Sequence, residues 1–204
     1  QREEREIDIR LCVLASQVEL DVELKNVRQI PNVTALHFDN LGMDSIPTWV
    51  HWVEGVEHLS LTGNQLRRIP SWLNTLSALK SIDLSKQSSL FGGPHTILWE
   101  QPPKISELNL SGIQFEELPE WLSSCSELEV LSFSGCSIRK LPPWLQELEN
   151  VQLIDLSFNP LEPETAVMVL QFLQNLSAVI MSKDQQQLIV DMEMARPDIE
   201  LEVL

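Results

Sequence analysis

One interval governs what this chain can become. The stretch Leu118-Pro119-Glu120-Trp121-Leu122 returns as Leu141-Pro142-Pro143-Trp144-Leu145, 23 residues later. The interval is general. Hexapeptides of one type begin at Val33, Val56, Leu79, Ile105, Leu128 and Val151, at steps of 23, 23, 26, 23 and 23. Numbered from each start, positions 1, 4 and 6 are apolar, 11 is apolar in all but the third unit, where it is Ser89, and 14, 18 and 21 are usually so. A truncated copy precedes them, with Leu20, Val22, Val27, Ile30 and Pro31 at positions 4, 6, 11, 14 and 15. Positions 4 and 6 carry the period-two signature of a strand with one buried face. Positions 14, 18 and 21 have helical spacing, and proline at 15 suits the start of a short helix. Neither piece can bury its apolar side alone. Copies stacked in parallel register can, so the repeat predicts a solenoid.

The pattern LxxLxLxx(N/C)xLxxLPxxLxxLxx resembles the leucine-rich repeat family in its 23-residue, intracellular form. The resemblance covers residues 17–177, one partial and six full units. It implies an α/β fold: a right-handed, curved solenoid with a parallel sheet on the concave side and short helices on the convex side. Position 9, Asn or Cys in the family, is Asn64, Cys136 and Asn159, with Gln87 a near substitute. Leu41 and Ile113 depart from it, so units one and four are expected to lack the asparagine's bonds to the backbone. The stretch 86–104 carries three extra residues, including Gly92-Gly93-Pro94 and Pro102-Pro103, and is expected to bulge as an irregular loop.

Terminal units expose their core and need caps. Residues 1–16 are expected to cap the N-terminus, either as a β-hairpin, from the alternation of Ile7, Ile9, Leu11 and Val13, or as a helix using Ile7, Leu11, Leu14 and Val18. Residues 178–204 are expected to cap the C-terminus, with a helix over Ser182–Ala195 stopped by Pro197 and a last strand in Ile199–Leu204.

Composition narrows the partners. Fourteen Lys and Arg against 30 Asp and Glu give a net charge of −16. Such a surface repels phosphate backbones and anionic lipid, which argues against nucleic acid and membrane and favours a basic protein partner. No stretch is long and apolar enough to span a bilayer. The three cysteines, Cys12, Cys125 and Cys136, form neither a CxxC pair nor a disulfide framework, which fits free thiols in a reducing compartment. A cytoplasmic monomer is expected, or one delivered into a host cytoplasm. The chain opens on "QREERE" without Met, which suggests a piece of a longer protein.

Strand positions 3, 5 and 7 point away from the core. By resemblance to the family they form the partner-binding face: His37, Asp39, His58, Ser60, Thr62, Ser81, Asp83, Ser85, Glu107, Asn109, Ser111, Val130, Ser132, Leu153 and Asp155. Hydroxyls dominate its middle, acid its N-terminal end, and Val130, Leu153 and Phe158 make its C-terminal end apolar. His37, His58 and Asp39 together suggest a metal or acid–base site, but no nucleophile is placed beside them in sequence, and solvated surface residues fit better. Trp49, Trp72, Trp121 and Trp144 share position 17. Four equivalent copies fit a shared packing slot better than a ligand site. No GxGxxG, Walker A, HExxH or GxSxG motif occurs. No cofactor is implied and no enzyme expected. The sequence therefore predicts a protein-interaction module. The alternative is the recognition arm of a multidomain protein, such as a bacterial effector ubiquitin ligase, a Roco-type protein or a plant-type immune receptor.

Overall fold

The computed structural model describes the backbone of residues 5–8 and the whole of residues 33–53, 55–66, 68–87, 104–115 and 117–204. One parallel sheet of nine strands runs through it in strict sequence order. The strands are β1 (Arg5–Asp8), β2 (Val33–His37), β3 (His58–Ser60), β4 (Ser81–Asp83), β5 (Glu107–Asn109), β6 (Val130–Ser132), β7 (Leu153–Asp155), β8 (Ala178–Met181) and β9 (Glu200–Val203). Each position 4 pairs with the next: Leu36, Leu59, Ile82, Leu108, Leu131, Ile154, Val179 and Leu201 form one continuous row. A one-residue slip would turn every one of these side chains outward, so burial of that single face fixes the register.

The other side of the core is built from short helices. Four 3-10 turns, Thr48–Trp52, Ser71–Thr75, Glu120–Ser124 and Pro143–Glu147, follow Pro47, Pro70, Pro119 and Pro142. The repeat proline was expected inside the first helical turn. It stands one residue earlier, at the N-cap, where its carbonyl accepts the bond that closes the turn, as from Leu122 N to Pro119 O at 3.1 Å. Units this short leave room for one turn only. Beyond residue 160 true α-helices replace the 3-10 turns, α1 (Pro163–Leu170) and α2 (Gln186–Ala195). Strand and helix side chains meet in one core running from Val33 to Ile199.

The unit-three insertion leaves the ladder undisturbed. Ser81 pairs directly with Glu107 and Asp83 with Asn109, so the three extra residues fall outside the strands. Of the expected bulge over 86–104, residues 88–103 lie outside the described residues.

Both ends carry further strands of the same sheet. At the N-terminus Arg5–Asp8 is a strand parallel to β2, with Glu6 opposite Ala35 and Asp8 opposite His37. It occupies the edge of β2. The partial unit expected over 17–32, the rest of the expected cap and Cys12 lie outside the described residues. At the C-terminus the helix and last strand occur as α2 and β9, and an additional strand, β8, precedes them. Leu176, Val179 and Met181 repeat positions 1, 4 and 6, all buried. The repeat therefore continues past 177, and the residues expected to cap it extend the sheet in register.

Candidate functional site

The outward face of the sheet is built as three rows of side chains. Position 3 supplies His58, Ser81, Glu107, Val130 and Leu153, then Ala178 and Glu200. Position 5 supplies His37, Ser60, Asp83, Asn109, Ser132 and Asp155, then Ile180 and Glu202. Position 7 supplies Asp39, Thr62, Ser85 and Ser111. Adjacent strands lie about 4.8 Å apart, so the predicted residues are brought into one continuous surface.

Many of them are held by their neighbours. Asp83 accepts a bond from its own Ser85 N at 2.8 Å and another from Asn109 Nδ2 at 3.0 Å. Asp155 accepts from Ser157 N at 2.9 Å and Ser157 Oγ at 2.7 Å. Asp39 accepts from Ser60 Oγ and from Thr62 N. The bonds from Ser85 N and Ser157 N are turn-type bonds by which a short side chain holds its own backbone where the strand ends, whereas Asp39 and Asn109 tie neighbouring units together. Ser85 is buried, its hydroxyl 3.2 Å from that of Thr62. It is a structural residue, and its predicted place on an accessible face is corrected accordingly. At the surface His58 and Glu107 are exposed, and His37, Asp39, Ser60, Thr62, Ser81, Asp83, Asn109, Ser111, Val130, Ser132, Leu153 and Asp155 are half-buried. A shallow depression of about 250 Å³ lies among Ser81, Asp83, Glu107, Asn109, Val130 and Ser132.

Val130, Leu153 and Ala178 are directly paired across three strands, with Ile180 on the same face. This gives an apolar strip between Glu107 on one side and Glu200 and Glu202 on the other. Ala178 and Ile180 were missed because β8 was missed; the Leu-x-x-Val-x-Met spacing from Leu176 was the available signal.

The two histidines turn to different neighbours. His37 Nδ1 lies 4.0 Å from Asp39 Oδ2, while His58 Nδ1 is 2.7 Å from Ser81 Oγ. A hydroxyl does stand beside His58, contrary to the sequence expectation that no nucleophile would. The pair is solvent-exposed, and general-base activation needs the imidazole oriented by a third group and the hydroxyl aimed at a bound substrate. Among the described residues no three His, Cys, Asp or Glu side chains converge on a metal position.

The remaining motifs are absorbed by packing. Trp49 is buried with its ring 5.8 Å from that of Phe38, and Trp72, Trp121 and Trp144 pack half-buried on the core. Cys125 and Cys136 are buried thiols without a disulfide. Burial pushes them up to about 12 and about 11 respectively, which keeps them as neutral, unreactive thiols. The position-9 residues tie unit to unit. Asn64 donates to Phe38 O and Leu61 O, both at 2.7 Å, and accepts from Leu41 N and Met43 N. Asn159 repeats this one end further along. Gln87 and Gln185 reach the same class of carbonyl with longer side chains. Cys136 substitutes a thiol bond to Leu110 O, and Ile113 supplies no side-chain bond.

The family model described as Leucine Rich Repeat matches residues 55–76 and 127–148. No curated protein matches the chain. Among solved structures it is similar to an internalin (inlF) of Listeria monocytogenes, with 16% identity and a TM-score of 0.56, over 91% of this chain and 62% of that one. A chain of the Drosophila Toll–Spatzle complex matches at 22% identity and a TM-score of 0.57, over 74% of this chain and 23% of that one. Internalin C2 (inlC2) of Listeria monocytogenes matches at 15% identity and a TM-score of 0.53, over 85% and 81%. This chain thus spans less than two thirds of the inlF internalin and of the Toll–Spatzle chain. The fold is that of leucine-rich repeats, stacked as an α/β solenoid.

Proposed function

We propose that this leucine-rich repeat solenoid is a non-enzymatic interaction module whose concave sheet receives a basic segment of a protein partner. One observation carries the reading: from β2 to β9 the outward rows at positions 3, 5 and 7 expose Glu107, Glu200 and Glu202 around the apolar strip Val130–Leu153–Ala178 and contain no Lys or Arg. Apolar contact at the centre with charge at the rim is the arrangement of a protein interface, and the acidic rim selects and steers a cationic partner. The Toll–Spatzle neighbour, solved as a complex, supports a protein partner for the fold. The like charge of two copies favours a monomer. A reducing, cytoplasmic setting is part of the reading, supported by the free thiols Cys125 and Cys136.

The test is a comparative pull-down. His58→Arg, Glu107→Arg and Ser132→Arg place cations on the exposed part of the face without touching the carboxylates that hold the turns. Partners retained by the native chain should be lost from the triple variant at unchanged circular dichroism. Retention of the same partners would refute the concave-face reading. The alternative, a recognition arm of a longer protein, uses the same surface. The full open reading frame decides it.

A further inference from the structure

The large hydrophobic side chains left exposed among the described residues all lie between 158 and 204, and four of the seven stand on or beside α1 and α2. They are Met168 and Phe172, spaced i, i+4 along and just beyond α1, and Val190 and Met194, spaced i, i+4 on α2. Their exposures run from 47% to 71%. Helical periodicity sets them opposite the buried residues Ala166, Val169 and Leu170 on α1 and Leu188 and Met192 on α2. They therefore point outward on the convex side. The two helices pack against each other. Arg196 secures the end of α2 to that of α1 by donating to Leu173 O at 3.1 Å and Gln171 O at 3.3 Å. The result is two parallel apolar stripes on neighbouring, fixed helices. Scattered surface hydrophobes need no explanation, but a rimmed cluster does.

The rim is acidic apart from Arg196 at its C-terminal end, which is paired with Asp198 at 2.8 Å. Neither helix contains Lys or Arg, while Glu164, Asp191 and Glu193 flank the stripes. At their N-terminal end Glu162, Glu164, Gln187 and Asp191 line an open groove of about 640 Å³. A second copy of this chain would bring these carboxylates against one another, and an anionic lipid surface would meet the same repulsion. We propose that the outer face of α1 and α2 is a second docking surface, taking an amphipathic helix of a protein partner whose apolar stripe is bordered by Lys or Arg. Apolar residues of that helix at i, i+3 or i+4, and i+7 settle on Met168, Phe172, Val190 and Met194, the usual geometry of a helix in a groove. Its cations meet Glu164 and Asp191. This surface lies on the opposite side of the core from the concave sheet and does not depend on that sheet's function.

The chain contains five methionines, which report the site when labelled at the methyl carbon. Met168 and Met194 are in the patch, Met181 and Met192 are fully buried, and Met43 is in the first unit. The probe is a synthetic amphipathic helix of leucine and lysine, compared with its leucine–glutamate counterpart. Saturable shifts of Met168 and Met194, with Met43 unmoved, are expected from the lysine helix alone. Phe172→Ser with Val190→Ser should weaken it by about tenfold or more, whereas the concave triple variant should bind it unchanged. Equal binding by the serine variant, or shifts that include Met43, would mean general attraction to an acidic protein and overturn the proposal. So would equal binding of the glutamate helix, concentration-dependent shifts of Met168 and Met194 without peptide, which mark a second copy, or the same shifts on anionic vesicles.

Discussion

Replacing Asn159 by leucine tests how the units are joined. Asn159 is 2% exposed. Its Oδ1 accepts from Cys136 N at 2.9 Å and Ile138 N at 3.0 Å, and its Nδ2 donates to Phe133 O at 2.8 Å and Leu156 O at 3.1 Å. Leucine has similar volume and none of these groups. Nδ2 also reaches Ser157 O at 3.2 Å. Ser157 O retains a bond from Gly135 N at 2.9 Å and Leu156 O one from Gln185 Nε2 at 3.0 Å, so three backbone groups, two N–H and one C=O, lose their side-chain partner with no such substitute. An unsatisfied buried group costs about 1–3 kcal/mol, which puts the loss at roughly 4 kcal/mol after partial relaxation. That is a large fraction of the roughly 5–15 kcal/mol that holds a domain folded. Asn159→Cys should cost about half as much. The chain already shows how a cysteine unit copes: Cys136 donates to Leu110 O, while Phe115 N turns to Cys136 O and Ile113 N to Leu110 O. Urea unfolding followed by far-ultraviolet circular dichroism reads both losses, and native-state hydrogen exchange should show Cys136 and Ile138 amides opening first. A leucine variant within about 1 kcal/mol of the native chain would refute the ladder as an energetic element.

Position 8 adopts the left-handed conformation in every described unit, and it is Gly63, Gly112 and Gly135 in three but Phe158 (φ 56°) in another. Left-handed backbone costs an L-residue about 1–2 kcal/mol and Phe158 is 59% exposed, so Phe158→Gly should gain up to about 1 kcal/mol in urea unfolding. A loss would show that the ring is packed. Cys125 and Cys136, with thiols pushed up to about 12 and 11, should react with iodoacetamide about a hundredfold more slowly than a free thiol at neutral pH, and at the ordinary rate in urea; fast native labelling of either peptide would contradict their burial. Arg196 holds the Asp198 carboxyl below the usual carboxylate range and is itself held protonated by it. A depressed carboxyl stabilises above its unfolded pKa and loses that contribution as pH falls through its folded value. Arg196→Met should therefore lower stability at neutral pH by about 2 kcal/mol through the lost carbonyl bonds, and the pH dependence below about 4 should flatten. An unchanged acid limb would refute the pairing.

The six unit starts were legible from Val33 to Val151, because a period of two beside a helical spacing admits only one way of burying both sides. Row order on the concave face followed from the same count, since a parallel register allows no other neighbour for Leu108 than Ile82 and Leu131. The eighth strand went unread although Leu176, Val179 and Met181 keep the pattern, because the longer connection through α1 shifts their spacing from 23 to 25 residues.

The sequence by itself determined that these segments must stack, and which face of each strand faces the core, because the repeat writes that information locally in every unit. Tertiary structure decided which surface groups are available to a partner. Asp39, Asp83 and Asp155 look like exposed acids in a strand pattern. The bonds they accept from Thr62 N, Ser85 N and Ser157 N reveal them as acceptors holding the backbone. Likewise Met168, Phe172, Val190 and Met194 are unremarkable apolar residues in a chain with 43% of them. They become a surface only when two helices from successive units are laid side by side. Burial of a strand face depends on its own alternation, whereas accessibility depends on what neighbouring units place over it.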